Sequence, residues 1–215
     1  MKRGSGILKA HCRRYLSVAS PRGNRPMELI IGPPQPALSR VKGTERSPIR
    51  VALLQTHWHE DTAQHSAALL AGIRMASDNG ARMVFLPELT LSRYPADVLP
   101  HGTQRKRAEH VDGETYEFAK LAAQSNNVFV QASFYEHAPE LGDGRGFNTA
   151  ILVSPDGDMV GRTRKLHIPV TAGYYEDKYF AQGPANDPYP VHTVEVPGVG
   201  GTLHLGTNSE KSDVQ

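Results

Sequence analysis

IRVALLQTHWHEDTAQHSAALLAGIRMASDNGARMVFLPELT, residues 49–90, carries the pattern that decides the fold. Its first eight residues form a compact apolar run of strand length flanked by polar residues, which predicts a strand buried on both faces. Asp61 and Gln64 then stand at capping-box spacing, and Ala67, Leu70, Ile73 and Ala76 recur at helical intervals. Asn79-Gly80 stops that helix, and RMVFL rises as a second buried strand ending at Pro87-Glu88. Strand, helix and strand in so short a span make a βαβ unit with parallel strands. Functional groups in such sheets sit at strand C-termini, which is where Glu88 falls.

Downstream, a polar loop from Ser92 to His110 precedes a second helix with Thr115, Phe118, Ala119 and Ala122 on one face, ended by Ser125-Asn126-Asn127. VFVQASFY is the next strand, joined through the glycine-rich ELGDGRG to FNTAILVS as a hairpin. SPDGD is a tight turn that returns the chain into MVGRTRK, so Lys165 lies near the end of an antiparallel partner strand. VHTVEV and TLHLGT flank PGVGG as a last hairpin. Between them runs GRTRKLHIPVTAGYYEDKYF, residues 161–180, where Pro169 and Gly173 interrupt both helix and strand ladders. A loop that gathers Lys165, His167, two tyrosines and Glu176 is a place to look for chemistry.

Upstream, residues 1–48 read as a disordered basic tail: PRGNRP, GPPQPAL and TERSP bring frequent Pro and Gly without a hydrophobic period. Their Arg-rich, acid-poor start fits a transit-like segment as well as a start assigned too far upstream. Residues 1–50 hold 11 Lys/Arg and two acids, a net of +9, which leaves 24 − 11 = 13 bases against 22 − 2 = 20 acids, or −7, for residues 51–215. An acidic body argues against nucleic-acid binding, which needs clustered cations. A mean hydropathy of −0.44 and the lack of a long apolar run argue against a membrane protein. One cysteine, Cys12, excludes an internal disulfide framework and fits a cytoplasmic protein.

Two constellations can carry chemistry. Thr56-His57-Trp58-His59-Glu60-Asp61 resembles the THxHxDH metal motif of the metallo-β-lactamase fold, so a zinc hydrolase using His57 and His59 is one alternative. Thr62 stands where the motif's last histidine belongs, and the bland reading is a turn whose Asp61 caps the helix. The second constellation is Glu88 with Lys165 and Glu176. A carboxylate leaving a buried strand suits a general base, and a lysine beside it suits an oxyanion.

FLPELT around Glu88 and RTRKLHIP around Lys165 resemble the Glu and Lys blocks of the nitrilase, or carbon-nitrogen hydrolase, superfamily. GYYEDKYF, with Glu176, is similar to the corresponding loop of N-carbamoylputrescine amidases and their β-ureidopropionase relatives, and the agreement runs over roughly residues 49–207. The resemblance implies an α/β fold, the N-terminal part of an α-β-β-α sandwich incomplete at its C-terminus. It further implies that Glu88 is the general base, that Lys165 stabilises the oxyanion and that Glu176 supports them, with no cofactor. The substrate class it implies is a small linear amide or N-carbamoyl amine, and the complete family member is expected to be a homo-oligomer.

In that family the nucleophile is a cysteine in a block resembling CWDxWFPE, expected by register near residue 210. The sequence there reads Asn208-Ser209-Glu210-Lys211, and residues 208–215 form a polar tail unlike the family. Cys12 lies outside the family-like region, and a serine at 209 lacks a thiolate's reactivity. The expectation is therefore half an active site, inactive alone, with apolar strand faces exposed near residues 150–206. The rival to a hydrolase is a non-catalytic remnant that binds a partner chain.

Overall fold

A computed structural model of the chain describes residues 27–32, 48–100, 108–199 and 201–206. Cys12, nearly all of the expected tail 1–48, and residues 208–215 with Ser209 lie outside the described residues. The chain divides into two units, Met1–Glu45 and Arg46–Gln215, and every element named below belongs to the second.

Its elements run β1 (Val51–Leu53), α1 (Thr62–Asp78), β2 (Met83–Phe85), α2 (Glu114–Asn126), β3 (Phe129–Glu136), β4 (Phe147–Val153), β5 (Met159–Arg164), α3 (Glu176–Tyr179), β6 (Val191–Glu195) and β7 (Thr202–Gly206). The first five strands form one sheet in the order β1-β2-β3-β4-β5, and β6 and β7 form a separate hairpin. β1, β2 and β3 are parallel, as the crossover helices between them require. β3, β4 and β5 are antiparallel, joined by the two turns that ELGDGRG and SPDGD predict.

Period-2 alternation gives the sheet two apolar faces. Val84, Val130, Ala132, Phe134, Ile151 and Val153 meet Ile73 and Ala76 of α1 and the alanines 119, 122 and 123 of α2. Alternate residues Met83, Phe129 and Leu152 meet Val194 and Val196, with Leu203 and Leu205 half-buried beside them, so the β6–β7 hairpin covers the second face. Gly161 permits that approach, because a Cβ there would stand 2.6 Å from the His192 imidazole.

Asp61 caps α1, its Oδ1 accepting from the Gln64 N–H at 3.0 Å. The buried stripe of α1 is His65, Leu69, Gly72, Ile73, Met75 and Ala76, and Ala67 is exposed. The predicted stripe was thus rotated: 67-70-73-76 drifts across the helix, whereas 65-69-72-76 keeps the bulkier Leu69 inward. In α2 the expectation holds, with Thr115, Ala119 and Ala122 buried and Phe118 half-buried.

β1 departs from expectation. Val51 and Leu53 are 49% and 82% exposed, so this strand is covered on its helix face only. It is the sheet's outer strand, and the hairpin that shields Met83 and Phe129 does not extend to it. Exposure near residues 150–206 is limited: Val160 and Val191 are open, but Leu152, Val153 and Val194 are buried.

Candidate active site

The site grows from the end of β2. The ladder to β3 ends with the Leu86 N–H donating to the Gln131 carbonyl at 3.0 Å, and the chain turns sharply at Leu89, whose φ of 50° is left-handed and costs a leucine on the order of 1–2 kcal/mol. Several bonds hold it there. The Leu89 N–H donates to Ser133 Oγ at 2.7 Å and the Thr90 N–H to the Ser133 carbonyl at 2.8 Å. Ser133 N–H donates in return to Thr90 Oγ1 at 3.0 Å, and His65 Nε2–H donates to the Thr90 carbonyl at 2.9 Å. With the Leu89 side chain buried among Ala96, Tyr135, Tyr179 and Phe180, the turn aims Glu88 outward beside β4.

Lys165 arrives from the far end of the same sheet. It directly follows β5, its N–H donating to the Asn148 carbonyl at 2.8 Å and its own carbonyl accepting from Gly183 N–H at 2.9 Å. Glycine is required at 183, since a Cβ would lie 2.5 Å from the Arg164 carbonyl oxygen. Glu176 opens α3, which is tied to the start of β4 through the Gly146 N–H to Tyr179 carbonyl bond and the Ala181 N–H to Gly146 carbonyl bond. Tyr135 and Phe180 pack edge to face beneath it at 5.1 Å.

These elements bring the three predicted residues together. Lys165 Nζ donates to Glu176 Oε2 at 2.7 Å and stands 3.6 Å from Glu88 Oε1. The side chains of Lys165 and Glu176 are each 7% exposed, whereas that of Glu88 is 45% exposed. Solvent therefore reaches the Glu88 carboxylate, whereas the Lys165–Glu176 pair beside it is buried. Two residues not singled out from sequence complete the cluster: Asn148 Nδ2 donates to Glu88 Oε1 at 2.6 Å, and Tyr94 O–H donates to Glu176 Oε1 at 2.5 Å. Burial first, then the hydrogen bond and charge of Glu176, push the Tyr94 phenol well above its ordinary range, so it stays a donor. Asn148 had a readable signal, a polar residue inside the apolar strand FNTAILV; Tyr94 had none.

His57 and His59 lie together at 4.1 Å between ring centroids, with His65 5.9 Å from His59. They do not make the anticipated zinc site: Asp61 is spent on the helix cap and His65 Nε2 on the Thr90 carbonyl. Among the described residues no group of three or more His, Cys, Asp or Glu is placed to hold a metal ion. Burial and the neighbouring His57 and His65 lower the pKa of His59, and Asp61 opposes them.

The carbon-nitrogen hydrolase family matches residues 50–205, well over half of the chain. The chain belongs to the carbon-nitrogen hydrolase, or nitrilase, superfamily. Citrullinase of Francisella tularensis subsp. tularensis is 32% identical over 139 residues, covering 64% of this chain and 46% of that enzyme. The omega-amidase of Homo sapiens is 28% identical over 62% of this chain and 48% of its own. N-carbamoylputrescine amidase of Solanum tuberosum is 26% identical, over 63% and 44%. The chain thus spans about half the length of the curated relatives it matches. A carbon-nitrogen hydrolase structure from Helicobacter pylori G27 shares the fold at a TM-score of 0.56 and 24% identity, over 64% of this chain and 45% of that one. No helix among the described residues is long and apolar enough to cross a membrane.

Proposed function

We propose that this carbon-nitrogen hydrolase chain contributes the base and oxyanion side of a site that hydrolyses a small linear amide or N-carbamoyl amine. The observation that carries the reading is Lys165 seated between two carboxylates, 2.7 Å from Glu176 and 3.6 Å from Glu88. Glu176 takes the lysine's closer contact, which leaves the Glu88 carboxylate available to a proton. Glu88 then serves as general base toward a thiol nucleophile and passes that proton to the departing amine. It takes a second proton from the water that releases the acyl group and returns it to the departing thiolate, which restores both thiol and carboxylate. Lys165 stabilises the negative oxygen of each tetrahedral intermediate, and Glu176 with Tyr94 holds the ammonium in place. Citrullinase, omega-amidase and N-carbamoylputrescine amidase among the relatives support the substrate class.

The sequence names no nucleophile for the site: its one cysteine, Cys12, lies outside residues 50–205, which the family matches. Residues 1–215 alone are accordingly proposed to be inactive. An ammonia-release assay with a carbamoyl amine tests this, with no turnover expected. Ammonia release that disappears in Glu88→Ala would contradict it.

A second reading, a non-catalytic chain that docks a partner, draws on the exposed Val51 and Leu53 of β1. Titration with an N-carbamoyl amine during size-exclusion chromatography separates the two: a defined oligomer that binds no carbamoyl amine supports docking, and saturable binding at the Lys165 cluster does not.

A further inference from the structure

We infer that Asn148 is the positioning residue of the Glu88 carboxylate, holding Oε1 so that Oε2 is the oxygen that takes and gives the proton. The inference deepens the hydrolase reading and rests on Glu88 being the base.

Asn148 is 5% exposed on β4, and a primary amide buried without partners is costly. Its Nδ2 is 2.6 Å from Glu88 Oε1, and the carboxylate settles which way the amide faces, since only the NH2 end can donate to it. Lys165 Nζ approaches that same oxygen, at 3.6 Å. Among the described residues nothing donates to Oε2. Among the described residues the carboxylate is thus held by one oxygen and not by the other.

The backbone of Asn148 adds a second constraint, because its carbonyl accepts the Lys165 N–H at 2.8 Å. One residue therefore ties down both partners: its side chain holds the base and its main chain holds the strand end that carries the lysine. A neutral amide suits this task. It orients the carboxylate by a hydrogen bond without adding a positive charge, which would favour the ionised form and weaken the base.

The test is a pH titration of the Glu88 side-chain carboxyl by 13C NMR in the full 215-residue chain, comparing wild type with Asn148→Asp and Asn148→Ser. Placing a second carboxylate at this distance should raise the upper midpoint of the resulting pair by at least about one unit, a tenfold change in proton affinity. Serine, whose hydroxyl is one bond shorter and leaves the 2.6 Å contact unmade, should raise it several-fold less, with the Glu136 signal unmoved in both. Midpoints equal to wild type in both folded variants would overturn the inference. Should either variant fail to fold, Glu88→Ala supplies the reciprocal reading: exchange of the Asn148 side-chain NH2 with solvent should quicken at least about tenfold. Unchanged exchange would equally overturn it. Neither readout needs turnover, so the positioning role can fail while the hydrolase reading stands, and the reverse.

Discussion

Two charged clusters flank the end of the same three strands, one on each face, and they are built from neighbouring residues. Glu136, Thr149, Arg162 and Arg164 point to the helix side; Asn148 and Lys165, each one residue away along its strand, point to the other, toward Glu88 and Glu176. In the first cluster two arginines serve one carboxylate, which is 5% exposed. Arg164 Nε and Nη2 donate to it at 3.1 and 2.6 Å, Thr149 Oγ1 donates at 2.6 Å, and Arg162 adds a further contact. Arg164 also stacks on Phe147 at 3.9 Å. Burial pushes the Glu136 carboxyl up, but these donors outweigh it and hold its pKa below the ordinary carboxylate value. In the second cluster the ratio is inverted, with one lysine shared by two carboxylates, of which one is largely open to solvent. A saturated carboxylate is a structural pin, and an undersupplied one can exchange a proton.

The comparison can be broken at three points. The largest expected effect is at Glu136: replacement by alanine leaves two arginines without their partner and should cost about 3 kcal/mol, read from urea unfolding. Its pH signature has a definite sign. A carboxyl whose folded pKa is depressed stabilises the fold above its unfolded value, 4.5, and that contribution is lost as the pH falls through the folded value. Next is Lys165→Met, which strands the buried Glu176 with Tyr94 as its remaining donor and should cost about 2 kcal/mol. Glu88→Ala should cost about 1 kcal/mol, because the carboxylate is half in water already and the cost is that of leaving the buried Asn148 amide unpaired. A loss at Glu88 as large as at Glu136 would erase the distinction between pin and base.

The smallest effect lies away from both clusters. His59 is buried with a lowered pKa, so the unfolded chain binds its proton first and stability declines as the pH drops below about 6.5. His59→Gln should flatten that part of the stability profile between pH 7 and 5, as followed by thermal melts. An unchanged slope would assign it to another group.

What could be read from the sequence follows from how local each signal is. The βαβ start, the Asp61 cap and the hairpin turns depend on neighbours in the chain, and the structure has them. Glu88, Lys165 and Glu176 could be named as candidates because each sits in a recognisable block, and the fold brings Lys165 within reach of both acids. The exposure of Val51 and Leu53 was not legible, since VALLQT reads the same whether or not a second layer reaches the strand. Nor was Glu136. Its partners are 26 and 28 residues away, and nothing in RTRK says that Arg164 and Lys165 will serve opposite faces.

Lys165, Glu88 and Glu176 are proposed to form the polar half of a site for a small amide or carbamoyl amine. Titrating the isotope-labelled chain with an N-carbamoyl amine, while following the Lys165 Nζ and Glu88 and Glu176 carboxyl resonances, tests it most directly. Saturable shifts are expected at these three groups and at the Asn148 side chain, none at Glu136, and their loss in Lys165→Met. Absence of any saturable shift, or equal shifts in Lys165→Met, would contradict it.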